Sequence, residues 1–442
     1  FLSGIGTVTA SGVGGGSLVN ANVHVRPDPI VFDHPRWPRG FSREALDPYY
    51  DKVAHELDVK PFPASIPLKK RDLFQQAARR MGRQTFDPDE AVSWTEPSAP
   101  GRKACQRCAE CEFGCQYGAK NTLDLTYLAR AEKLGATVWP GLSVSHVQRV
   151  AGGYRVHFKD LATGEKTSVE GSRVVLSAGA LGTVEILLRS RDRTRTLPLV
   201  SDWLGRGYSG NGDFLGSMHG SREEILPWEG PDVATVMRFF DAAPRFTMVT
   251  ATFNKPATAV LAGMGQPRLG LLGGVGAPLW PKLWPLLHGA FAKGLFNKPL
   301  GTGVDPSRTS NLFAIGQDNA NGHMVLKGDR LDIEWDYANE NVALVNRMTS
   351  AMQELASQYG GTFAPLVTWE LFRRPFTVHS LGGAHLAESP ARGVVSTEGE
   401  VFNYPGLYVA DGSVIPTSIG FHPVMTISAV AERIAEAVAH GF

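Results

Sequence analysis

The sequence predicts an α/β fold with a second unit of mixed strands, and three observations predict it. Residues 11–20, SGVGGGSLVN, are a Gly-rich loop running into apolar sequence. Residues 174–189, VVLSAGALGTVEILLR, read as strand, glycine-containing turn and helix. That order sets backbone N–H groups at a helix N-terminus beside a parallel sheet edge, where anionic or dinucleotide ligands bind. Residues 406–439 repeat it: a short buried strand (GLYVAD), the loop GSVIPTSIGFHP and a terminal helix from 424.

Along the chain, a Pro- and aromatic-rich stretch leads into a helix over 43–57. Residues 96–120 are irregular and hold every cysteine. Residues 122–134 have helical spacing, with Leu123, Leu125, Leu128 and Ala131 on one face. Strands at 136–139, 144–150, 154–158, 166–170 and 173–177, parted in places by Gly152-Gly153 and Thr163-Gly164, predict a β-meander returning to a core strand. Residues 220–370 read as a separate unit of mixed strands and long connections. Within it, 342–358 is an amphipathic helix whose stripe is Leu344, Val345, Met348, Met352 and Leu355. Pro423 suits the first turn of the terminal helix, where its missing N–H is not needed.

Composition narrows the function. The 442 residues are enough for two domains or more. Forty-four basic residues stand against 43 acidic ones, and a phosphate-reading surface would show a basic excess, so no nucleic-acid partner is expected. The glycines fall in clusters, as at tight turns or where backbone must approach a ligand. No apolar run reaches the roughly 20 residues of a membrane span. All four cysteines lie between Cys105 and Cys115. A secreted disulfide framework would spread them, so the clustering favours a reducing compartment or a metal. The expected location is cytoplasmic or peripheral to a membrane. The chain opens on Phe1 in mid-pattern, and its true N-terminus is expected to precede it.

The segments VGGGSLVNAN, SAGALGT, VHSLGG and ADGSVIPTSIGFHPVMTISAVAERIA, in this order, resemble the motifs of the glucose–methanol–choline (GMC) flavoenzymes, closest to the sterol oxidase branch. QYGAKNTLDLTYLARAEKLGA and LGRGYSGNGDFLG resemble that branch too. The resemblance runs from about residue 11 to the end and is thin through 220–320. It implies FAD, held on a discontinuous Rossmann-like α/β domain (1–45, 120–215 and 399–442), with an antiparallel-sheet substrate domain (46–119 and 216–398). The strand and GxGxxG turn with which such enzymes open would precede Phe1.

Carried over residue by residue, the resemblance implies that Gly14, Gly15, Gly16, Ser17, Asn20 and Asn22 lie along the flavin and pyrophosphate. Val144 offers its backbone to the adenine, and Ser177, Ala178 and Gly179 wall the adenosine. Asp411 and Gly412 contact the ribityl and phosphate region. His422, Pro423 and Val424 lie at the pyrimidine end of the flavin, where a helix N-terminus favours negative charge. His379 and His422 form the catalytic pair, since an imidazole titrates in the range a hydroxyl proton acceptor needs. The sterol oxidase pattern usually has Asn where this chain has His422. The implied reaction is oxidation of a secondary, sterol-like hydroxyl to a ketone, with oxygen or another carrier as electron acceptor. His288, His323 and His385 sit in no motif.

Two features stand outside those motifs. Cys105, Cys108, Cys111 and Cys115 have the spacing C-x2-C-x2-C-x3-C of a ferredoxin-type run, with Gln116 where Pro is usual. A Cys-rich structural loop, with one labile disulfide, is the other reading of the same residues and the one adopted, so no metal is assigned. Residues 269–296 are apolar, but Pro278, Pro281 and Pro285 break them. They read as a core-facing connection, or as an apolar lid resting on a membrane surface and admitting a lipid-like alcohol.

Overall fold

The structure, a computed structural model, describes residues 2–97, 99–255, 257–258 and 305–440. Residues 269–296 therefore lie outside the described residues, and with them the apolar lid.

The α/β half is built as the sequence implies. Strand Val174–Leu176 pairs in parallel with Leu407–Val409, Val175 opposite Tyr408. Helix Gly179–Leu188 follows the first strand, and a short 3-10 turn, Gly412–Val414, follows the second. Helix Gly179–Leu188 buries Val184, Leu187 and Leu188. The terminal helix Val424–His440 packs on helix Arg43–Glu56, and the Tyr50 and Thr426 hydroxyls meet at 3.1 Å. Ser42 caps that first helix, its Oγ accepting from the Ala45 N–H.

The meander is present as an antiparallel sheet of Leu142–Val150, Gly153–Asp160 and Lys166–Gly171, with a bulge at Ser145 beside Val144. Its expected first member does not form. Residues 136–139 belong to no strand; they leave helix Tyr127–Lys133 with Leu134 and Trp139 exposed. A strand needs a partner for its N–H and C=O groups, and none lies beside them among the described residues. The helix also starts later than its spacing predicts. Residues 123–126 are turns, held where Ser17 Oγ accepts from the Leu123 N–H at 2.9 Å, and Leu125 is left exposed.

The second half holds a six-stranded antiparallel sheet in the order Thr362–Pro365, Phe214–His219, Ser310–Gly316, Phe246–Ala251, Val236–Phe239 and Thr85–Phe86. Helix Val342–Gln358 packs on it together with Lys69–Arg80. The predicted stripe of Leu344, Val345, Met348, Met352 and Leu355 is entirely buried there. The approach is close at Gly316, where an added Cβ would fall 2.2 Å from Met348 Cε. Residues 209–213 lead into this sheet and 378–382 follow the short strand Phe376–Thr377; the two segments meet where Thr377 Oγ1 donates to the Gly210 carbonyl at 2.9 Å. No helix among the described residues is long and apolar enough to cross a membrane.

Candidate active site

The two histidines singled out in the sequence come together. The rings of His379 and His422 sit 5.5 Å apart, edge to face at 82°. Phe313 stacks on His379 at 5.5 Å and presents its other relation, edge to face, to His422 at 6.5 Å. The pair thus shares one apolar neighbour.

Their surroundings differ. His379 Nδ1 lies 2.9 Å from Asp213 Oδ1, whose carboxylate is wholly buried, while the His379 backbone N–H donates to Thr377 Oγ1. His422 is buried with no hydrogen bond among the described residues. Burial, and then the neighbouring His379 and His24, push its pKa well below the usual imidazole range. That shift favours the neutral ring. The turn that carries it is clamped by Asn211: its Oδ1 accepts from the Ile419 and Gly420 N–H groups at 2.9 and 3.1 Å, and its Nδ2 donates to the Phe421 carbonyl at 2.8 Å.

Asp411 knits the two strand ends. One carboxylate oxygen accepts from the Thr183 hydroxyl, the other from Ser413 N–H and Oγ at 2.8 and 2.6 Å. Thr183 Oγ also accepts from the Ala178 N–H, and Ser177 Oγ donates to the Ala410 carbonyl. Gly412 in turn accepts from the Gly382 N–H at 3.0 Å, three residues beyond His379. Ser177, Ala178, Gly179, Asp411, Gly412 and the His379 segment are therefore contiguous. Pro423 and Val424 open the terminal helix directly after His422, and the Ile427 N–H closes the first turn on the Pro423 carbonyl.

The Gly-rich loop is a 3-10 turn over Gly15–Leu18. Gly14 and Gly15 take φ of 106° and 56°, a region that favours glycine. Ser17 Oγ ties the loop inward, donating to the Gly14 carbonyl at 2.7 Å. Asn20 offers its carbonyl to Lys120 Nζ at 2.6 Å. Asn22, also at positive φ, is buried with Nδ2 unpartnered. Beside it His24, which no motif flagged, places Nδ1 on the Asn22 carbonyl at 2.7 Å and leaves Nε2 buried and unpartnered. Burial lowers its pKa to about 4.

These features suit a dinucleotide. Beside Gly15, Gly16 and Gly179 the space a Cβ would enter is open to 4 Å, so a ligand can lie against bare backbone. The buried Asn22 Nδ2 lacks an acceptor that a ligand oxygen or ring nitrogen can supply. Val144 is half-buried and adjoins the bulge at Ser145, where the ladder with the next strand is irregular.

The family models of GMC oxidoreductases match residues 5–191 with the N-terminal part and 319–431 with the C-terminal part. The chain belongs to the GMC oxidoreductase family. It is 28% identical to a cholesterol oxidase of Acinetobacter baumannii, across 98% of this chain and 82% of that one. It is 21% identical to a long-chain-alcohol oxidase of Arabidopsis thaliana, across 98% of this chain and 58% of that one. Among solved structures, an FAD-dependent oxidoreductase from Chaetomium thermophilum superposes with a TM-score of 0.62 at 16% identity, covering 98% of this chain and 87% of its own. The GMC protein is accordingly an FAD-dependent oxidoreductase with the α/β fold of its family.

Proposed function

We propose that this protein oxidises a secondary hydroxyl to a ketone, with a sterol as the favoured substrate and oxygen as electron acceptor. One observation carries the reading: two imidazoles face each other edge to face, one anchored to a buried carboxylate and one held neutral. Alcohol oxidation needs an acceptor for the hydroxyl proton within hydrogen-bond reach and an acceptor for the hydride. Bound FAD supplies the second. In this reading His379 takes the proton on Nε2. His422 holds the same hydroxyl without adding charge beside it. Phe313 gives the reacting carbon an apolar wall.

The cofactor would lie along Gly14–Gly16, Ser17, Asn20 and Asn22, reach Val144, Ser177, Ala178 and Gly179 with its adenosine, and pass Asp411, Gly412 and Pro423–Val424. The division into a cofactor domain (1–45, 120–215, 399–442) and a substrate domain (46–119, 216–398) belongs to the same proposal. Similarity to a cholesterol oxidase across nearly the whole chain supports the sterol. Similarity to a long-chain-alcohol oxidase favours a second reading, a long-chain primary alcohol.

The test is anaerobic mixing of the FAD-loaded protein with cholesterol or with a long-chain primary alcohol, read as loss of the oxidised flavin bands. Bleaching by cholesterol alone supports the sterol reading. Bleaching by the long-chain alcohol alone replaces it with the second. Bands unchanged by either would refute both.

A further inference from the structure

The segment LGRGYSGNGDFLG has no role in the proposal above, yet residues 209–213 touch both histidines' supports. We propose that Asp213 is a positioning residue that fixes the proton of His379 on Nδ1, and so keeps Nε2 free as the ring's basic nitrogen. The inference rests on His379 being the proton acceptor proposed above and goes one step further, to what prepares it.

The bonding at Asp213 argues for this assignment. Its Oδ2 accepts from the Val378 N–H at 3.0 Å and lies 2.8 Å from the Thr377 hydroxyl. Its Oδ1 faces His379 Nδ1 at 2.9 Å. The side chain is wholly buried, so no solvent competes for these positions. An ionised carboxylate only accepts, so the nitrogen opposite it must carry the proton. Ring rotation is opposed by Phe313, stacked within 7° of parallel, and by the His422 edge. His379 Nε2 makes no hydrogen bond among the described residues, which leaves it available to a substrate hydroxyl.

The carboxylate is itself held in place. Asn211 and Gly212 take φ of 53° and 60°, folding the loop back on itself. A Cβ at Gly212 would fall 2.3 Å from the Gly316 carbonyl, so only glycine fits between loop and sheet. Buried Asp318 then fastens the loop, accepting from Gly212 N–H at 2.8 Å, Ser209 Oγ at 2.8 Å and Ala320 N–H at 2.9 Å. The same loop carries Asn211, the clamp on the His422 turn. One five-residue segment therefore braces one histidine by its side-chain proton and the other by its backbone.

Asp213→Asn tests the claim, because an amide keeps the shape but no longer demands a proton from Nδ1. In the FAD-loaded protein the rate of anaerobic flavin bleaching by the alcohol should fall by about a hundredfold or more. The half-saturating alcohol concentration should move by less than about threefold, since binding is not what the proton position governs. Independently, ¹⁵N NMR of the native holoenzyme should show His379 protonated on Nδ1. Bleaching within about threefold of native in a variant that retains its flavin would overturn the proposal, as would a native ring protonated on Nε2. Should the variant lose its flavin, the native tautomer decides. Should no alcohol bleach the native protein, the functional reading fails, while the NMR result still decides whether Asp213 sets the proton.

Discussion

Two buried polar regions of this protein are built in opposite ways. Around His379, Asp213 meets three donors and Asp318 another three, and each carboxylate oxygen has a partner. Beneath the Cys-rich loop, Glu90 is equally buried, but neither of its oxygens has a partner, and Asp232 leaves Oδ2 bare. Lys70 lies in that second region yet gives its protons to the Pro231 carbonyl and the Thr252 hydroxyl rather than to Glu90. The difference teaches which region is organised for geometry and which stores a cost. Hydrogen bonds from Ser209, Gly212 and Ala320 oppose burial at Asp318, whose pKa rises only to about 6, whereas Glu90, with no partner, is pushed well above the carboxylate range.

The largest expected effect comes from the partnered region. His379→Ala should lower the rate of flavin reduction by about 10²–10⁴-fold while leaving FAD bound. A loss below about tenfold would break the comparison, because it would leave the whole brace without a purpose.

His422 should matter less. Burial favours its neutral form, so Asn can replace its hydrogen-bonding with little change in charge. His422→Asn should cost no more than about tenfold in rate, roughly one hydrogen bond, and should leave the shape of the pH–rate profile unaltered. A new inflection in the variant, or one lost, would show that His422 titrates in the working range.

The unpartnered region should speak through stability. Burial pushes the Glu90 pKa well above the carboxylate range, with Lys70 opposing and Asp232 adding to the rise. The native state then binds a proton that the unfolded chain has already released. Stability from this group is full below the unfolded pKa and is lost as pH rises through the folded one. Lys70 runs the other way: burial lowers it to about 8, so its contribution is lost as pH falls through that value. Glu90→Gln removes the first effect and, with it, the Glu90 charge that favours protonated Lys70. The variant should unfold at the native temperature at pH 5 and gain about 1–3 kcal/mol relative to native at pH 9, seen in thermal melts. An equal change at both pH values would mean that Glu90 is not the titrating group.

The smallest effect concerns the neighbouring cysteines. Burial raises Cys105 to about 11 and Cys111 well above the usual thiol range. Both are thiols rather than thiolates at pH 8, so alkylation there should be slow and should quicken as pH rises. Among the described residues no group of three or more His, Cys, Asp or Glu is arranged to hold a metal ion. Stoichiometric iron in the purified protein would favour the ferredoxin-like alternative.

What could be read from sequence followed from local rules. Gly14–Gly16, the strand–turn–helix at 174–188 and helix Val342–Gln358 each carry their signal within one element, and each is in place. The pairing of His379 with His422 was legible only through resemblance, since the 42 residues between them say nothing of distance. Asp213 was not legible in that way. It stands 166 positions before its partner, in a motif with no assigned role, and only the fold brings it under the ring. The failed strand at 136–139 makes the converse point: its pattern was correct for a strand, but a strand also needs a neighbour.

The most direct test of the account is anaerobic addition of cholesterol to the FAD-loaded native protein. The account predicts loss of the oxidised flavin bands and formation of one ketone per flavin. Flavin bands that persist with cholesterol and with every other alcohol tried would contradict it.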